Sequence, residues 1–343
     1  TETTGTKTGS SGSSGPLKVA ATMPSPLDDF GWSQAESKAL KNVIDDMDGV
    51  ELTKIVDSVP YKDTKKVVSD LARKNDVIVA DSNGRLQTGT LEASKQIGDT
   101  YFMTRNTALP PDDLPENHIV YNQHLAMVWG PMAYVAGLLS ETNKIGDVDS
   151  IPVLVRAHAL RGAKCALAHV NSDAQLDINW INSWYDPGKT RRNAESLLNS
   201  GVDVLINGTN GAIPGKVAAD HGKLAVGYGI DMSAAAPDGY ATSVLMKPEP
   251  IFKEGISAAL NDNWSEYWNK YDNHHPWAPK DYQGEGTIGL ADWHDSVSQD
   301  VRTKTEKYVE KVDNYGIKYP EVWKKNVCPD GTKFELDLPN NSN

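Results

Sequence analysis

The apolar positions in the first third of the chain alternate between short continuous runs and longer stretches with helical spacing. The runs at 17–22 (LKVAAT) and 77–80 (VIVA) are typical of buried strands. The apolar positions between Trp32 and Met47 recur every three or four residues and predict a helix. The same criteria predict strands at 50–56, 100–104 and 118–121 and helices at 63–73 and 91–97. This alternation predicts a parallel sheet covered by helices on both faces.

A similar rhythm returns between about residues 125 and 231. Two helices are predicted first, at 125–141 and 153–169, and strands and helices then alternate. The further strands are predicted at 177–183, 202–207 and 224–229, and the further helices at 189–200 and 213–221. The two halves therefore predict an α/β protein with two similar doubly wound lobes joined by a hinge.

The remaining third has to complete both lobes. It contains a strand and a helix at 242–260, a strand candidate at 287–290 and a charged helix at 295–312. We expect the chain to cross between the lobes near 121–124, near 231–233 and at one later point. The expected units are a flexible tether at 1–15, an N-terminal lobe of 16–122 plus about 243–283, a C-terminal lobe of 123–242 plus about 284–310, and an outer extension at 311–343.

Composition and charge narrow the class of protein. The net charge of −12 disfavours a nucleic-acid partner, because phosphate contacts need a basic surface. No apolar run approaches the ~20 residues that span a bilayer. Residues 1–15 contain only Thr, Gly, Ser, Lys and Glu, which favours a flexible tether, with a cloning linker as the alternative. Cys165 and Cys328 either form one disulfide in an oxidising compartment or stay apart.

Ligand-binding side chains are expected where the strands end, because open parallel sheets bind ligands beyond the carboxyl ends of their strands. The residues at these positions are aromatic, acidic or amide, and no glycine-rich phosphate cradle is present. Flat aromatic faces with Asp and Asn suit a sugar, a nucleobase or a nucleoside. The candidates are Asp28, Asp29, Trp32, Ser33, Asp81, Trp184, Asn207, Gly208 and Asp231.

Several candidates have structural alternatives. Trp32 opens a helix and is equally a candidate for the core, as is Trp129, whose helix is rich in Ala, Met and Gly. Asp186, beside Trp184, is expected to cap a helix rather than to contact a ligand. Asp231 follows a strand with no obvious helix to cap, which favours a ligand contact.

Catalytic and metal-binding motifs are not recognisable. There is no GxSxG or HExxH pattern, and Cys165 has no catalytic signature around it. The pair His274-His275 has no third ligand nearby in sequence, so we expect an exposed loop there. No catalytic residue, metal or cofactor is therefore expected.

The segment 185–231 (YDPGKTRRNAESLLNSGVDVLINGTNGAIPGKVAADHGKLAVGYGID) resembles the second lobe of the basic membrane protein family. These proteins are purine-nucleoside-receptor-type lipoproteins that serve as substrate-binding subunits of ABC importers. The run MAYVAGLLS at 132–140, the TSVLMK pattern at 242–247, and an opening loop with Asp28, Asp29, Trp32 and Ser33 are also similar. The resemblance covers about residues 17–310 and implies a type I periplasmic-binding-protein fold.

The resemblance implies roles for individual residues. Trp32 matches the aromatic residue that stacks on the base, and Asp231 matches the carboxylate that binds ribose hydroxyls. Gly208 matches a cleft glycine, and Lys247 matches a lysine near the hinge and the ligand. Ser33 stands where nucleoside-binding members usually have Asn, and the Trp-rich loops are similar to members that hold a free purine base such as adenine.

The function implied is that of an extracytoplasmic protein without catalysis, which binds a purine base or nucleoside between its lobes and delivers it to an ABC permease. The implied protein is a monomer without a nucleic-acid partner, and a lipid anchor upstream is its only link to the membrane. One alternative is a receptor of the same fold with signalling output. The other is a nucleoside hydrolase or transferase that uses Asp28, Asp29 or Asp81 as catalytic carboxylates.

Overall fold

The computed structural model describes residues 15–81, 85–105, 113–122, 125–271, 274–276, 287–313 and 328. Strands and helices alternate from the start of this part of the chain, as the apolar pattern predicts. The elements up to residue 122 are β1 (Leu17–Thr22), α1 (Trp32–Asp45), β2 (Val50–Val56), α2 (Thr64–Ala72), β3 (Val77–Ala80), α3 (Arg85–Gln96), β4 (Tyr101–Arg105) and β5 (His118–Asn122).

The alternation continues through the middle of the chain and into its last third. The middle elements are α4 (Ala126–Leu139), β6 (Lys144–Asp149), α5 (Leu154–Val170), β7 (Gln175–Trp180), α6 (Pro187–Asn199), β8 (Val204–Gly208), α7 (Ile213–Asp220), β9 (Leu224–Gly229) and β10 (Tyr240–Met246). The later elements are α8 (Glu249–Leu260), α9 (Trp264–Lys270), β11 (His274–Pro276), β12 (Ile288–Leu290) and α10 (Gln299–Asp313).

The described strands form two six-stranded sheets, one in each lobe. The first sheet has the order β11-β5-β4-β3-β1-β2 and is parallel throughout. The second has the order β12-β10-β9-β8-β6-β7, and only β12 runs antiparallel to its neighbour. The strand order reverses beside β1 in the first sheet and beside β6 in the second, which confirms two doubly wound lobes.

The sheet order corrects the predicted crossings and lobe boundaries. Because β9 and β10 are neighbours in the second sheet, the chain stays in the second lobe through 231–233 and as far as Met246. A crossing at 231–233 and a first-lobe segment that begins at about 243 are therefore wrong. The chain passes between the lobes after β5, between β10 and α8, and between β11 and β12.

Strand β6 and helix α9 were not predicted, and β11 replaces the loop expected at His274-His275, since these residues pair in parallel with β5. The sequence of β6, KIGDVD, has no continuous apolar run, although the strand lies inside the second sheet between β8 and β7. Its two acids, Asp147 and Asp149, are completely buried.

A single hydrophobic core holds the second lobe together and extends into the first. It contains Trp129, Leu205, Val226 and Tyr228 of the second lobe, and also Trp32, which comes from α1 of the first lobe. Trp32 is thus buried against the opposite lobe.

The remaining predictions from the sequence concern the two ends of the chain and its two cysteines. The predicted tether, apart from Gly15, and most of the predicted extension lie outside the described residues. Cys328 is described and forms a disulfide with Cys165 of α5, so the bonded alternative is the one present in the structure. None of the described helices is long and apolar enough to cross a bilayer.

Candidate ligand-binding cleft

The two points where strand order reverses face each other across the interlobe boundary. In the first lobe this point lies beyond β1 and β3, where the loop before α1 and Asp81 are found. In the second lobe it lies beyond β6 and β8, where Asp149 and Asn210 are found. Open α/β sheets bind their ligands at such points.

The loop before α1 is organised around Asp29. Its Oδ1 accepts hydrogen bonds from the backbone N–H of Gly31 (2.9 Å) and of Gln34 (3.1 Å). Its Oδ2 accepts from the Ser25 hydroxyl (2.7 Å) and from the Ser33 N–H (3.1 Å). Burial raises the pKa of Asp29 even though these bonds favour the carboxylate. The side chains of Asp29 and Ser33 therefore shape the loop, and Ser33 reaches Ser25 Oγ at 2.8 Å.

Trp32 and Asp81 form a buried pair at the end of this loop. The Trp32 indole N–H donates to Asp81 Oδ2 at 2.5 Å, which fixes the plane of the ring. Asp81 is completely buried, and its Oδ1 has no hydrogen-bond partner among the described residues. Burial raises the pKa of Asp81 well above its usual value, because a buried site disfavours the charged carboxylate.

A buried arginine covers Trp32. The guanidinium carbon of Arg105, the last residue of β4, lies 3.6 Å from the centroid of the Trp32 ring. Arg105 also forms an ion pair with Glu36 of α1, and both side chains are 0% exposed. Burial lowers the pKa of Arg105 to about 9. Sequence reasoning missed both residues: Glu36 lies inside α1, and Arg105, which directly follows the strand predicted at 100–104, was not among the candidates.

The second lobe repeats this arrangement with different residues. The Trp129 indole N–H donates to Asp147 Oδ2 at 3.2 Å, and the guanidinium carbon of Arg156 lies 3.9 Å from the Trp129 ring centroid. Arg156 Nε donates to Asp149 Oδ1 at 2.7 Å. Burial, and then the charge of Asp149, raise the pKa of Asp147 well above its usual value. Trp129 belongs to the hydrophobic core, which was the structural alternative to ligand binding. It also supports this cluster of charged side chains.

Asn210 and Tyr228 connect the lobes. The Asn210 side chain donates to Ser25 Oγ of the first lobe at 2.9 Å and accepts from the Tyr228 hydroxyl at 2.6 Å. The Tyr228 ring centroid lies 5.0 Å from that of Trp129. A Cβ atom on Gly31 would come within 3.2 Å of the Asn210 backbone, so the lobes are in close contact here.

Two predicted site residues have structural partners that account for them. The Asn207 amide donates to the Gly211 carbonyl (2.8 Å) and to the Tyr240 hydroxyl (3.1 Å), and its oxygen accepts from Thr209 (3.1 Å). A Cβ atom on Gly208 would lie 2.5 Å from Asp147 Oδ1, so only glycine fits beside this strand. Both residues support the site from within the second lobe.

Three other predicted residues are less deeply buried than this cluster. Asp231 is half-buried and caps a short 3₁₀ turn through the N–H of Ser233 (2.9 Å), a cap that the sequence did not suggest. Lys247 is exposed and directly follows β10 at the second crossing between the lobes. Trp184 packs partly buried against the second-lobe core, and its carbonyl accepts from the Asn210 N–H at 3.2 Å. Asp186 next to it caps α6, as predicted.

The donor set of the cleft does not resemble a metal site. Among the described residues, no group of three or more His, Cys, Asp or Glu side chains could hold a metal ion. The two lobes instead contribute the flat faces of aromatic rings and guanidinium groups, together with buried carboxyl groups.

The two lobes have the fold of the type I periplasmic binding proteins. A solved ABC transporter solute-binding protein from Conexibacter woesei superposes with a TM-score of 0.68 at 18% identity, over 86% of this chain and 96% of that one. A solute-binding protein from Bacillus halodurans, solved with bound myo-inositol, gives a TM-score of 0.58 at 16% identity, over 88% of this chain and 100% of that one.

The family follows from the sequence comparison. The family model described as "Bmp: ABC transporter substrate-binding protein PnrA-like" matches residues 17–272, and the chain belongs to this family. The resemblance stated from the sequence is thereby confirmed. Membership implies a small-molecule ligand, a permease partner and an extracytoplasmic location, and the family and fold are those of binding proteins rather than enzymes.

Curated relatives differ in the ligand that their names state. A purine-binding protein of Brucella abortus is 26% identical over 249 residues, which are 72% of this chain and 70% of that protein. A putative ABC transporter glucose-binding protein of Haloferax volcanii is 22% identical over 305 residues, 87% of this chain and 72% of that protein.

Proposed function

We propose that this protein captures a purine base or a purine nucleoside in the cleft between its lobes and delivers it to an ABC permease. The observation that carries the proposal is the Trp32–Asp81 pair at the strand-order reversal of the first sheet. The hydrogen bond to Asp81 fixes the indole plane, and the guanidinium carbon of Arg105 lies 3.6 Å from the ring centroid, so the ring already accepts one polar planar group as a packing partner. A purine is a flat group of this kind.

Asp81 supplies the polar half of purine recognition. A protonated carboxyl group has one O–H donor and one carbonyl acceptor side by side. This pattern complements a ring nitrogen beside an amino group, as on adenine. Because burial raises the pKa of Asp81, burial favours the protonated form, which can donate, over the carboxylate. The Brucella abortus relative, whose name states purine binding, supports the same ligand class.

A monosaccharide is the second candidate. Sugar hydroxyls also pack on aromatic faces and bind carboxylates and guanidinium groups, and both lobes carry Trp, Asp and Arg in contact. The Haloferax volcanii relative is named as a putative glucose-binding protein.

Calorimetric titration with adenine, adenosine, guanosine, inosine, D-glucose and myo-inositol distinguishes these candidates. We expect binding of a purine. Trp32→Ala should weaken it about 10- to 100-fold, since base stacking on an aromatic residue is worth about 1–3 kcal/mol. Trp268→Ala is the matched control, because its indole donates to the His118 carbonyl at the opposite, amino-terminal end of β5. Binding of a sugar alone, or equal losses in both variants, would contradict the proposal.

The mode of attachment and the assembly state complete the proposal. We propose a monomer that a lipid anchor upstream of residue 1 holds at the outer face of the membrane, as the family resemblance implies. Light scattering coupled to size exclusion tests the monomer, which should have a mass near 37.3 kDa.

A further inference from the structure

Two tyrosines are the exposed large hydrophobic residues of the part of the chain that the structure describes. Tyr61 is 51% exposed and Tyr185 is 41% exposed. Single apolar side chains on a protein surface are ordinary. These two differ from such cases because they occupy equivalent positions in the two lobes and because both lie close to the boundary between them.

Each tyrosine lies in the loop that follows the edge strand of its sheet. Tyr61 follows β2, which pairs with β1, and Tyr185 follows β7, which pairs with β6. Because both pairings are parallel, the two loops lie at the carboxyl ends of the strands, where open α/β sheets bind their ligands. Strands β2 and β7 are also the last strands of their sheets at the edge away from the interlobe crossings.

Contacts tie both loops to the boundary between the lobes. In the first lobe, Asp57 Oδ2, in the loop after β2, accepts a hydrogen bond from the N–H of Leu27 (3.3 Å), which lies in the loop that leads to Asp29. In the second lobe, a Cβ atom on Gly211 would lie 3.4 Å from the Tyr185 ring and 3.5 Å from the carbonyl oxygen of Asp29. The Tyr185 ring and the first-lobe loop therefore flank the place where the lobes meet.

Basic residues accompany each tyrosine in a protein whose net charge is −12. Residues 61–66 read YKDTKK and residues 185–192 read YDPGKTRR, so each segment has three cations and one acid. Lys62, Lys66 and Arg192 are exposed. Among the described residues, no ion pair includes these three side chains. They are therefore available to an anionic group of a partner.

The cations also lie where they do not help the helices. Lys66 is in the first turn of α2 and Lys189 is in the first turn of α6, and neither helix has an acidic residue in that turn. The amino-terminal end of a helix carries partial positive charge, so cations in its first turn are unfavourable. The stability of the two lobes therefore does not explain why both segments are basic, whereas a partner that supplies anionic groups does.

We propose that the two segments form one contact surface, the tyrosine–cation surface, for acidic side chains on the extracytoplasmic side of the permease. It consists of Tyr61, Lys62 and Lys66 from the first lobe and of Tyr185 and Arg192 from the second. This surface rests on the delivery step of the proposed function and serves any ligand. Tyrosine and arginine are enriched where proteins bind one another, and exposed cations attract a complementary acidic patch.

An anionic lipid surface suits these residues less well. A broad charged surface acts on all the protein charges within about a Debye length, which is ~8 Å at physiological salt, and the net charge of −12 opposes that attraction. A protein interface, in contrast, brings acidic groups directly against the two segments. The permease is also the partner that family membership implies.

Biolayer interferometry with the transporter's purified permease complex in lipid nanodiscs tests this surface. Lys66→Glu and Arg192→Glu should each weaken permease binding by about fivefold or more at low salt, as the loss of an important interface residue does. The effect should shrink at high salt, which screens exposed charges. Lys74→Glu and Lys223→Glu are the matched controls, because both lysines are exposed and lie before β3 and β9, at the amino-terminal ends of these strands. Both controls should bind as the unaltered protein does.

Tyr61→Ala and Tyr185→Ala test the apolar part of the surface. Each should raise the Kd for the permease by a similar factor at low and at high salt, because salt screens charges and not apolar contacts. Circular dichroism verifies that every variant is folded, so that a higher Kd reports the lost contact.

The outcomes separate this surface from the proposed function. If the unaltered protein binds the permease and the charge-reversed variants bind as well as their controls, the tyrosine–cation surface is overturned and delivery stands. Equal binding to empty nanodiscs of phosphatidylcholine and phosphatidylglycerol overturns it in favour of a lipid contact. If the unaltered protein does not bind the permease, the delivery function fails, and the surface fails with it.

Discussion

Asn210 offers a direct test of how the lobes close, because its side chain joins them. The substitution Asn210→Ala removes the 2.9 Å bond to Ser25 of the first lobe and the 2.6 Å bond from the Tyr228 hydroxyl. Ser25 keeps its bonds to Asp29 and Ser33. The Tyr228 hydroxyl, in contrast, is left buried without this acceptor when the lobes are closed.

The expected loss can be estimated from these two bonds. A hydrogen bond contributes about 0.5–1.5 kcal/mol net, and a buried group left unpaired costs about 1–3 kcal/mol. Water satisfies the same groups once the lobes separate, so the loss falls on the closed state. About 2 kcal/mol of destabilisation corresponds to a roughly 30-fold weaker affinity for a ligand that needs closure.

Calorimetry with adenosine and small-angle scattering measure the two consequences, a higher Kd and a larger radius of gyration. Asn171→Ala is the matched control, because the bonds of its amide to described residues, Gly137 (3.2 Å) and Asn143 (2.9 Å), stay within the second lobe. The control should lower thermal stability and leave the Kd unchanged. An Asn210→Ala affinity within twofold of the unaltered protein, with an unchanged radius of gyration, would refute this account of closure.

Two further predictions concern stability. Burial lowers the pKa of His118 to about 3, so the folded protein keeps it neutral while the unfolded chain binds a proton below about 6.5. Urea titrations should show the free energy of unfolding falling by about 1.4 kcal/mol per pH unit from this group between pH 6.5 and 3, and His118→Gln should lose that contribution. An identical slope in the variant would contradict the assignment. The disulfide between Cys165 and Cys328 closes a sequence separation of 163 residues, so replacing both with Ser should cost about 2–5 kcal/mol of unfolding free energy. The same urea midpoint with and without reductant in the unaltered protein would contradict this.

The elements with a clean apolar pattern could be predicted almost to the residue. Strands β2, β3 and β9 have the predicted bounds, because their side chains give short runs bounded by polar turns. Strand β6 could not be predicted this way. An acid inside a sheet is unfavourable on its own, and Asp147 and Asp149 depend on partners from other elements, Trp129 and Arg156.

The residues of the candidate site also divide into those that the sequence predicted and those that it did not. Position after a strand was enough to single out Trp32 and Asp81, whose contact spans 49 residues of sequence. It was not enough to find Arg105 or Glu36, whose ion pair exists because β4 and α1 meet in three dimensions. For Asp231 the missing information was a single 3₁₀ turn, which is too short to leave a periodic signal.

The sheet order also sets the mechanics of opening. The strands next to the crossings are β5 and β11 at one edge of the first sheet and β10 and β12 at one edge of the second. The candidate site lies at β1 of the first sheet and β6 of the second. Strand β1 is three positions from β5, and β6 is three positions from β10, which is about 14 Å at the usual strand spacing. This distance is a lever arm, so each 10° of rotation about the crossings separates the two halves of the site by about 2.5 Å. A rotation of the lobes about these crossings therefore opens the site while every strand keeps its neighbours within its own sheet.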